Sequence, residues 1–372
     1  MTKQVLIVGG RGRIGSSVAA DLLTYTDAEV TITGRSADRG QIRHQLGERT
    51  QFLELDLSDT DRLRSAVAGK DLVIHCAGPF RYRDAITLRT CIREGVNYLD
   101  VSDDRSFTKN ALSHCGAAQQ AGITAVINSG VFPGISNSMV RQGVEQLDEP
   151  EVIHLSYVVS GSGGAGVTVM RTTFLGLQNP FQVWVDGRWQ EIKPYTGREM
   201  IEFPGYGRSG VYWFDMPEAF TLSKAFPVKT VITKFGSVPD FYNHLTWMAA
   251  HLFPRKLMQQ SRMIEFLSRT SYTMTSVTDR WSGIGVAMRA EVRGKRNGQP
   301  AQYASTFAHE NTAYASGCGT GSIAQFMLSG ALQKPGVWTV EEALPTDLFE
   351  QGMAERGLTI EQQVQPELVP LK

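Results

Sequence analysis

The chain has 372 residues, 42% of them hydrophobic, with 37 Lys+Arg set against 37 Asp+Glu. That length predicts two or more cores, and the charge balance excludes the broad basic field that would hold nucleic acid or an anionic bilayer. Four cysteines, Cys76, Cys91, Cys115 and Cys318, make neither a disulfide framework nor zinc-ligand spacing, and they read as reduced thiols of a cytoplasmic protein. No charged-then-apolar leader and no run of bilayer length are seen, so a soluble chain is expected.

The first predicted element is an apolar strand, Val5-Leu6-Ile7-Val8, which runs into Gly9-Gly10-Arg11-Gly12-Arg13-Ile14-Gly15 and then into a helix carrying Val18, Ala19, Leu22 and Leu23. Strand, Gly-x-Gly-x-x-Gly and helix together make the phosphate end of a dinucleotide site. Gly10 is assigned to the tight turn, Gly12 to close approach of a pyrophosphate, and Gly15 to contact between helix and strand. Arg13 and Ile14 open the helix whose N–H groups face the anion. Gly9-x-x-Gly12-x-x-Gly15 overlaps this motif as a second, related spacing.

Glu29 to Thr33 reads as the second strand and ends at Gly34-Arg35-Ser36. Where an NAD site places a carboxylate for the ribose hydroxyls, this chain has Arg35 with Ser36 beside it and Arg39 close by, a pattern that suits the 2′-phosphate of NADP. Phe52 to Leu57 alternates as a strand. Its Asp56, with Leu57 next to it, falls where such folds meet the adenine, and Asp56 reads equally well as a cap for the helix that follows. Asp71 to Cys76 is a buried strand ending in Ala77-Gly78-Pro79-Phe80, a loop that would lie over the nicotinamide half of the cofactor. A helix over Ala85–Glu94, a strand over Gly95–Asp103, a helix around Thr108–Ala121 and a strand over Ile123–Asn128 continue the β-α repeat.

The runs His75-Cys76-Ala77-Gly78-Pro79-Phe80, Cys91 through Asp100 and Gly130-Val131-Phe132-Pro133-Gly134-Ile135-Ser136-Asn137 resemble the saccharopine dehydrogenase/reductase superfamily, and the likeness returns between Leu328 and Glu342. The resemblance implies an NADP-type Rossmann domain completed by the C-terminus, with an inserted α+β domain that carries substrate and dimer contacts. Tyr98 and Asp100 match the family's Tyr-x-Asp positions and are the expected catalytic pair. Phe80, Pro133 and Gly134 are the expected substrate contacts. A short-chain dehydrogenase would need Tyr-x-x-x-Lys, and no Tyr in this chain has Lys four residues later.

From Glu151 the pattern becomes antiparallel. Strands are predicted over 152–160, 167–174, 181–185 and 189–192, with Asp186-Gly187 as a hairpin turn, and over 284–292 and 302–308 around Gly294–Gly298. Ser160–Gly166 reads as a loop that closes over a ligand or as a linker. The aromatic segment 241–253 reads as a core or dimer helix, with peripheral lipid contact as the other option. Gly317-Cys318-Gly319-Thr320-Gly321-Ser322 reads as a helix entry able to hold a carboxylate. His244 and His251 lack a partnering carboxylate, so no metal is expected.

The expected architecture is α/β, a doubly wound parallel sheet with an inserted domain on a largely antiparallel sheet. The expected divisions are 1–134, 135–330 and 331–372. The expected activity is hydride transfer between NADPH and a C=N, C=C or C=O bond of a small or lipid-like substrate, in a homodimer without nucleic acid. A catalytically silent NADP-binding regulator or a membrane-surface protein is the alternative.

Overall fold

The computed structural model describes residues 2–35, 47–163 and 166–365. The chain forms two compact units, Met1–Ile135 with Ala313–Leu358, and Ser136–Thr312 with Thr359–Lys372.

In the first unit, β1 (Gln4–Val8), α1 (Arg13–Tyr25), β2 (Glu29–Gly34), β3 (Thr50–Glu54), α2 (Thr60–Val67), β4 (Leu72–His75), α3 (Ile86–Glu94), β5 (Asn97–Asp100), α4 (Arg105–Leu112), α5 (Cys115–Gln120) and β6 (Thr124–Ile127) follow in order. β1 and β4 are buried on both faces, which is why they read as unbroken apolar runs. The helix expected over Thr108–Ala121 is two helices, broken around Ser113 and His114.

The second unit begins with α6 (Ser136–Glu145) and β7 (Glu149–Ser160). It continues through α7 (Val167–Gly176), the hairpin β8 (Phe181–Val185) and β9 (Arg188–Ile192), then β10 (Glu199–Phe203), β11 (Gly207–Trp213), α8 (Glu218–Ala225) and β12 (Thr230–Val238). After α9 (Phe241–Leu252), α10 (Arg255–Met258) and α11 (Ser261–Ser282) come the long strands β13 (Val286–Arg296) and β14 (Gln299–His309). The chain then returns to the first unit with α12 (Thr312–Ser329), β15 (Gly336–Thr339), α13 (Val340–Ala343) and α14 (Thr346–Glu355), and ends at β16 (Glu361–Gln365).

The first sheet has the order β15-β6-β5-β4-β1-β2-β3, and every pairing in it is parallel. Strand order reverses between β1 and β4, so the crevice at their C-terminal ends is the place where such folds bind ligands. The second sheet has the order β10-β11-β12-β7-β13-β14-β16 with β8 added beside β12. It is antiparallel except where β12 runs parallel to β7. Asp186 and Gly187 (φ 52° and 71°), like Asn297 and Gly298 (φ 53° and 74°), sit in the left-handed region at the tips of its hairpins.

Three further expectations change. Residues 167–174, read as a strand from their β-branched run, belong to helix α7, whose Arg171 makes a two-pronged ion pair with Glu265 of α11 at 2.6 and 2.8 Å. Gly317–Ser322 is no helix entry but lies inside α12. There the glycines serve close packing: a Cβ at Gly317 would lie 2.7 Å from that of Ser17, and one at Gly321 would lie 1.9 Å from an Asp21 carboxylate oxygen. Consequently α12 packs with the first unit, and the return to it comes at residue 313 rather than 331, while β16 pairs with β14 in the second unit.

The returning segment also fixes α1. Arg356 donates to both carboxylate oxygens of Asp21 at 2.8 and 2.7 Å, and its guanidinium lies 4.3 Å from the centre of the Tyr25 ring. Both charges are buried. Among the described residues no helix is long and apolar enough to cross a membrane.

Candidate functional site

The loop between β1 and α1 forms one wall of an open cleft that is also lined by Thr33, Gly34 and Arg35 after β2, Leu55, Asp56 and Leu57 after β3, and Ala77, Gly78 and Arg83 after β4. The left-handed residue of the loop is Gly9 (φ 78°), not Gly10. A Cβ at Gly9 would stand 2.9 Å from Ala77, and one at Gly10 would stand 2.6 Å from Ile32 of β2. Gly10 is thus demanded by packing and Gly9 by the turn. A Cβ at Gly15 would meet the Gly9 carbonyl oxygen at 2.6 Å, so the helix closes on the strand as expected.

Gly12 is the N-cap of α1 and offers no side-chain acceptor to its first turn. The first turn of the helix is therefore left without a side-chain cap, and Gly12 itself lines the cleft. Arg13 is exposed beside it. A cradle of glycines that tolerates no Cβ, opening on a helix N-terminus with guanidinium groups at one side, fits a dinucleotide pyrophosphate and its adenosine end.

Asp56 accepts from the Ser58 amide and hydroxyl, each at 2.9 Å. Those bonds, and then the guanidinium groups of Arg35 and Arg83, hold its carboxyl below the usual range. Helix α2 is capped instead by Asp59, which accepts from Arg62 at 3.0 Å. Ala77 and Gly78 line the cleft, and Pro79 starts the short turn Phe80–Tyr82. Ser36 lies outside the described residues, as does Arg39.

Tyr98 and Asp100 have no exposed surface. The Tyr98 hydroxyl donates to Asp100 Oδ2 at 3.0 Å and lies 3.1 Å from His75 Nδ1, which makes Nδ1 the protonated ring nitrogen. Asp100 Oδ1 accepts from the Ser102 amide (3.0 Å), the Ser102 hydroxyl (2.6 Å) and the Asn128 amide (3.0 Å). Burial pushes Asp100 up to about 6, against the pull of those donors. Burial also drives Tyr98 well above its ordinary value, and it drives His75 down to about 3, with Arg83 adding to the effect. The Cys76 thiol is pushed up by burial as well.

The expected catalytic pair is thus a sealed network joining β4, β5 and the end of β6, and it holds the loops above in register. Phe80 likewise packs edge-on against His75 and Phe107 with 3% of its surface exposed, and Pro133 and Gly134 are buried. These three do not offer a substrate a surface.

Arg11 and Arg83 escaped sequence reading. Arg11 hides in plain view inside the glycine motif, and Arg83 follows a turn whose path no periodicity reveals. Among the described residues no group of three or more His, Cys, Asp or Glu side chains is placed to hold a metal.

A doubly wound sheet with this cradle at its switch point has the form of a dinucleotide-binding domain. Residues 5–126 match the family described as the saccharopine dehydrogenase NADP binding domain. The likeness to that family is thus carried by the first unit of the chain, over about a third of its length. The chain is similar to carboxyaminopropylagmatine dehydrogenase of Synechocystis sp., 27% identical over 95% of this chain and 96% of that one. Carboxynorspermidine synthase of Vibrio cholerae is 25% identical over 94% of each chain. The solved saccharopine dehydrogenase (L-Glu forming) from Saccharomyces cerevisiae shares the fold with a TM-score of 0.72 at 14% identity, covering 98% of this chain and all of that one (100%).

Proposed function

We propose that this protein uses NADPH to reduce a C=N bond between an amine and a carboxyl-bearing carbon chain. Both full-length relatives are named for carboxy-substituted polyamines, which supports an amine-containing substrate. The observation that carries the choice of bond is the sealing of Tyr98 and Asp100. Reduction of a carbonyl leaves an oxyanion that an acid must protonate, whereas a protonated imine already holds its proton on nitrogen and accepts hydride at carbon without further help. A crevice whose expected acids are withdrawn suits the second acceptor.

Bound in the cleft, the nicotinamide supplies that hydride. The chain's part is to hold and orient: the glycine cradle and α1 receive the pyrophosphate, and Arg35 faces the 2′-phosphate. The sealed network keeps the ends of β4, β5 and β6 in register beneath the reacting groups. Arg35, which directly follows β2 and lines the cleft, supports NADPH over NADH.

The test is twofold. Purified protein is titrated with NADPH and NADH by fluorescence, with NADPH expected to bind at least tenfold tighter. NADPH oxidation is then followed with amines mixed with 2-oxo acids or with carboxyl-bearing aldehydes, and with enoyl and carbonyl compounds alone. Turnover of carbonyl compounds without an amine would overturn the C=N reading, and equal binding of the two cofactors would overturn NADPH.

A further inference from the structure

Three guanidinium groups from separate segments line the cleft. Arg35 ends β2. Arg11 lies across Gly34, so close that a Cβ there would stand 2.8 Å from Arg11 Cδ. Arg83 reaches back from the turn after β4, and its Nε donates to the Ala77 carbonyl at 2.9 Å, which leaves the terminal nitrogens of the guanidinium for other acceptors. Among the described residues lining the cleft the single carboxylate is Asp56, and one of its oxygens already accepts twice from Ser58.

Positive groups gathered in one cleft repel each other unless an anion joins them. Burial lowers the pKa of Arg83 and Arg35 lowers it further, while Asp56 and Asp84 pull it the other way, so the two guanidinium groups are near enough to feel each other with two carboxylates in reach. The anchor matters too. Ala77 is the residue against which Gly9 packs, so Arg83 is tied to the same loop that borders the pyrophosphate cradle and extends from there toward the adenosine end marked by Arg35.

We propose that Arg83 is a specificity residue: a strap that closes over the adenosine 2′-phosphate opposite Arg35 and with it sets the preference for NADPH over NADH. The assignment rests on the reading of the cofactor as NADPH. One phosphate, with its two negative charges and several acceptor oxygens, satisfies converging guanidinium forks, whereas the 2′-hydroxyl of NADH leaves them facing one another.

The experiment measures dissociation constants of NADPH, NADH and adenosine 2′,5′-bisphosphate for the wild-type protein, Arg83→Ala and Arg83→Lys. Arg83 lines the open cleft and keeps part of its surface in solvent, so its replacement leaves the core intact, and NADH binding reports on folding of the site. In Arg83→Ala, NADPH and adenosine 2′,5′-bisphosphate are expected to weaken about ten- to a hundredfold while NADH stays within about twofold. Arg83→Lys is expected to recover part of the loss.

Equal weakening of NADPH and NADH would assign Arg83 to the pyrophosphate or the loop and overturn the strap. A wild-type protein that prefers NADPH, with the same preference kept in Arg83→Ala, overturns the strap alone. A wild-type protein that binds both cofactors alike overturns the NADPH reading and the strap with it.

Discussion

Asp100→Asn keeps the shape of a buried carboxyl and removes its charge. In the folded protein Asp100 is pushed up to about 6 from an ordinary value of 3.8. Between those values the folded chain holds the proton more tightly than the unfolded chain does. The contribution of this group to stability is therefore fully present below about pH 4, is lost as pH rises through about 6, and is level above that; two pKa units correspond to about 3 kcal/mol.

The Asn variant has no such titration. Its Oδ1 can still accept from Ser102 and Asn128, and its amide can donate to the Tyr98 oxygen. The Tyr98 O–H then turns to His75 Nδ1, whose proton moves to the other ring nitrogen. His75 Nε2 has no partner among the described residues, so the exchange breaks no bond there. The stability of the variant relative to the wild type is thus expected to rise by about 3 kcal/mol between pH 4 and pH 7. Urea unfolding, followed by tryptophan fluorescence and far-ultraviolet circular dichroism at stepped pH, measures this difference, and other titrating groups cancel from it. Stability curves that run parallel from pH 4 to pH 7 would refute the sealed, raised carboxyl. So would a variant that folds normally yet loses a hundredfold or more in turnover, because that is the signature of an acid in contact with substrate.

Other outcomes follow from the same geometry. Arg35→Asp is expected to weaken NADPH by at least tenfold while NADH binding is kept or improved, since a carboxylate repels the 2′-phosphate and accepts from ribose hydroxyls; unchanged NADPH affinity by fluorescence titration would contradict the assignment. Gly9→Ala forces a Cβ to within 2.9 Å of Ala77 at a φ of 78°. It should cost about 1–3 kcal/mol and abolish the thermal shift produced by NADPH, an effect that Gly205→Ala, with open space at its Cβ, should not reproduce. Arg356→Ala leaves Asp21 buried without its partner and is expected to destabilise the protein by about 3–5 kcal/mol. Asp21→Asn combined with Arg356→Met should recover part of that, and a loss below about 1 kcal/mol in urea would show that water reaches the pair.

Some of the protein was written locally. A strand buried on both faces is an apolar run whatever lies around it, the cradle needs glycine at fixed spacings, and a tight hairpin needs residues that accept positive φ. The sequence alone therefore determined β1, the glycine loop, α1, the parallel repeat through β6 and the turn at Asp186-Gly187, and it bounded to Gly294–Gly298 a second turn that the structure narrows to Asn297-Gly298. Arg35 was legible for the same reason, because it follows the second strand directly.

What only the tertiary structure decided depended on neighbours distant in the chain. Residues 167–176 carry a β-branched pattern that fits a strand as well as a helix, and packing on α11 with the Arg171–Glu265 pair made them helical. Gly317, Gly319 and Gly321 look like a loop until α1 and the backbone at Gly130 fill the space a side chain would need. Tyr98 and Asp100 show a chemically capable pair of residue types, but whether a hydroxyl and a carboxylate meet a ligand or each other depends on burial, and here they face His75, Ser102 and Asn128. Arg83 reached the cleft through the path of a turn. Pattern and spacing fix what a residue can do; the packing of remote segments fixes what it touches.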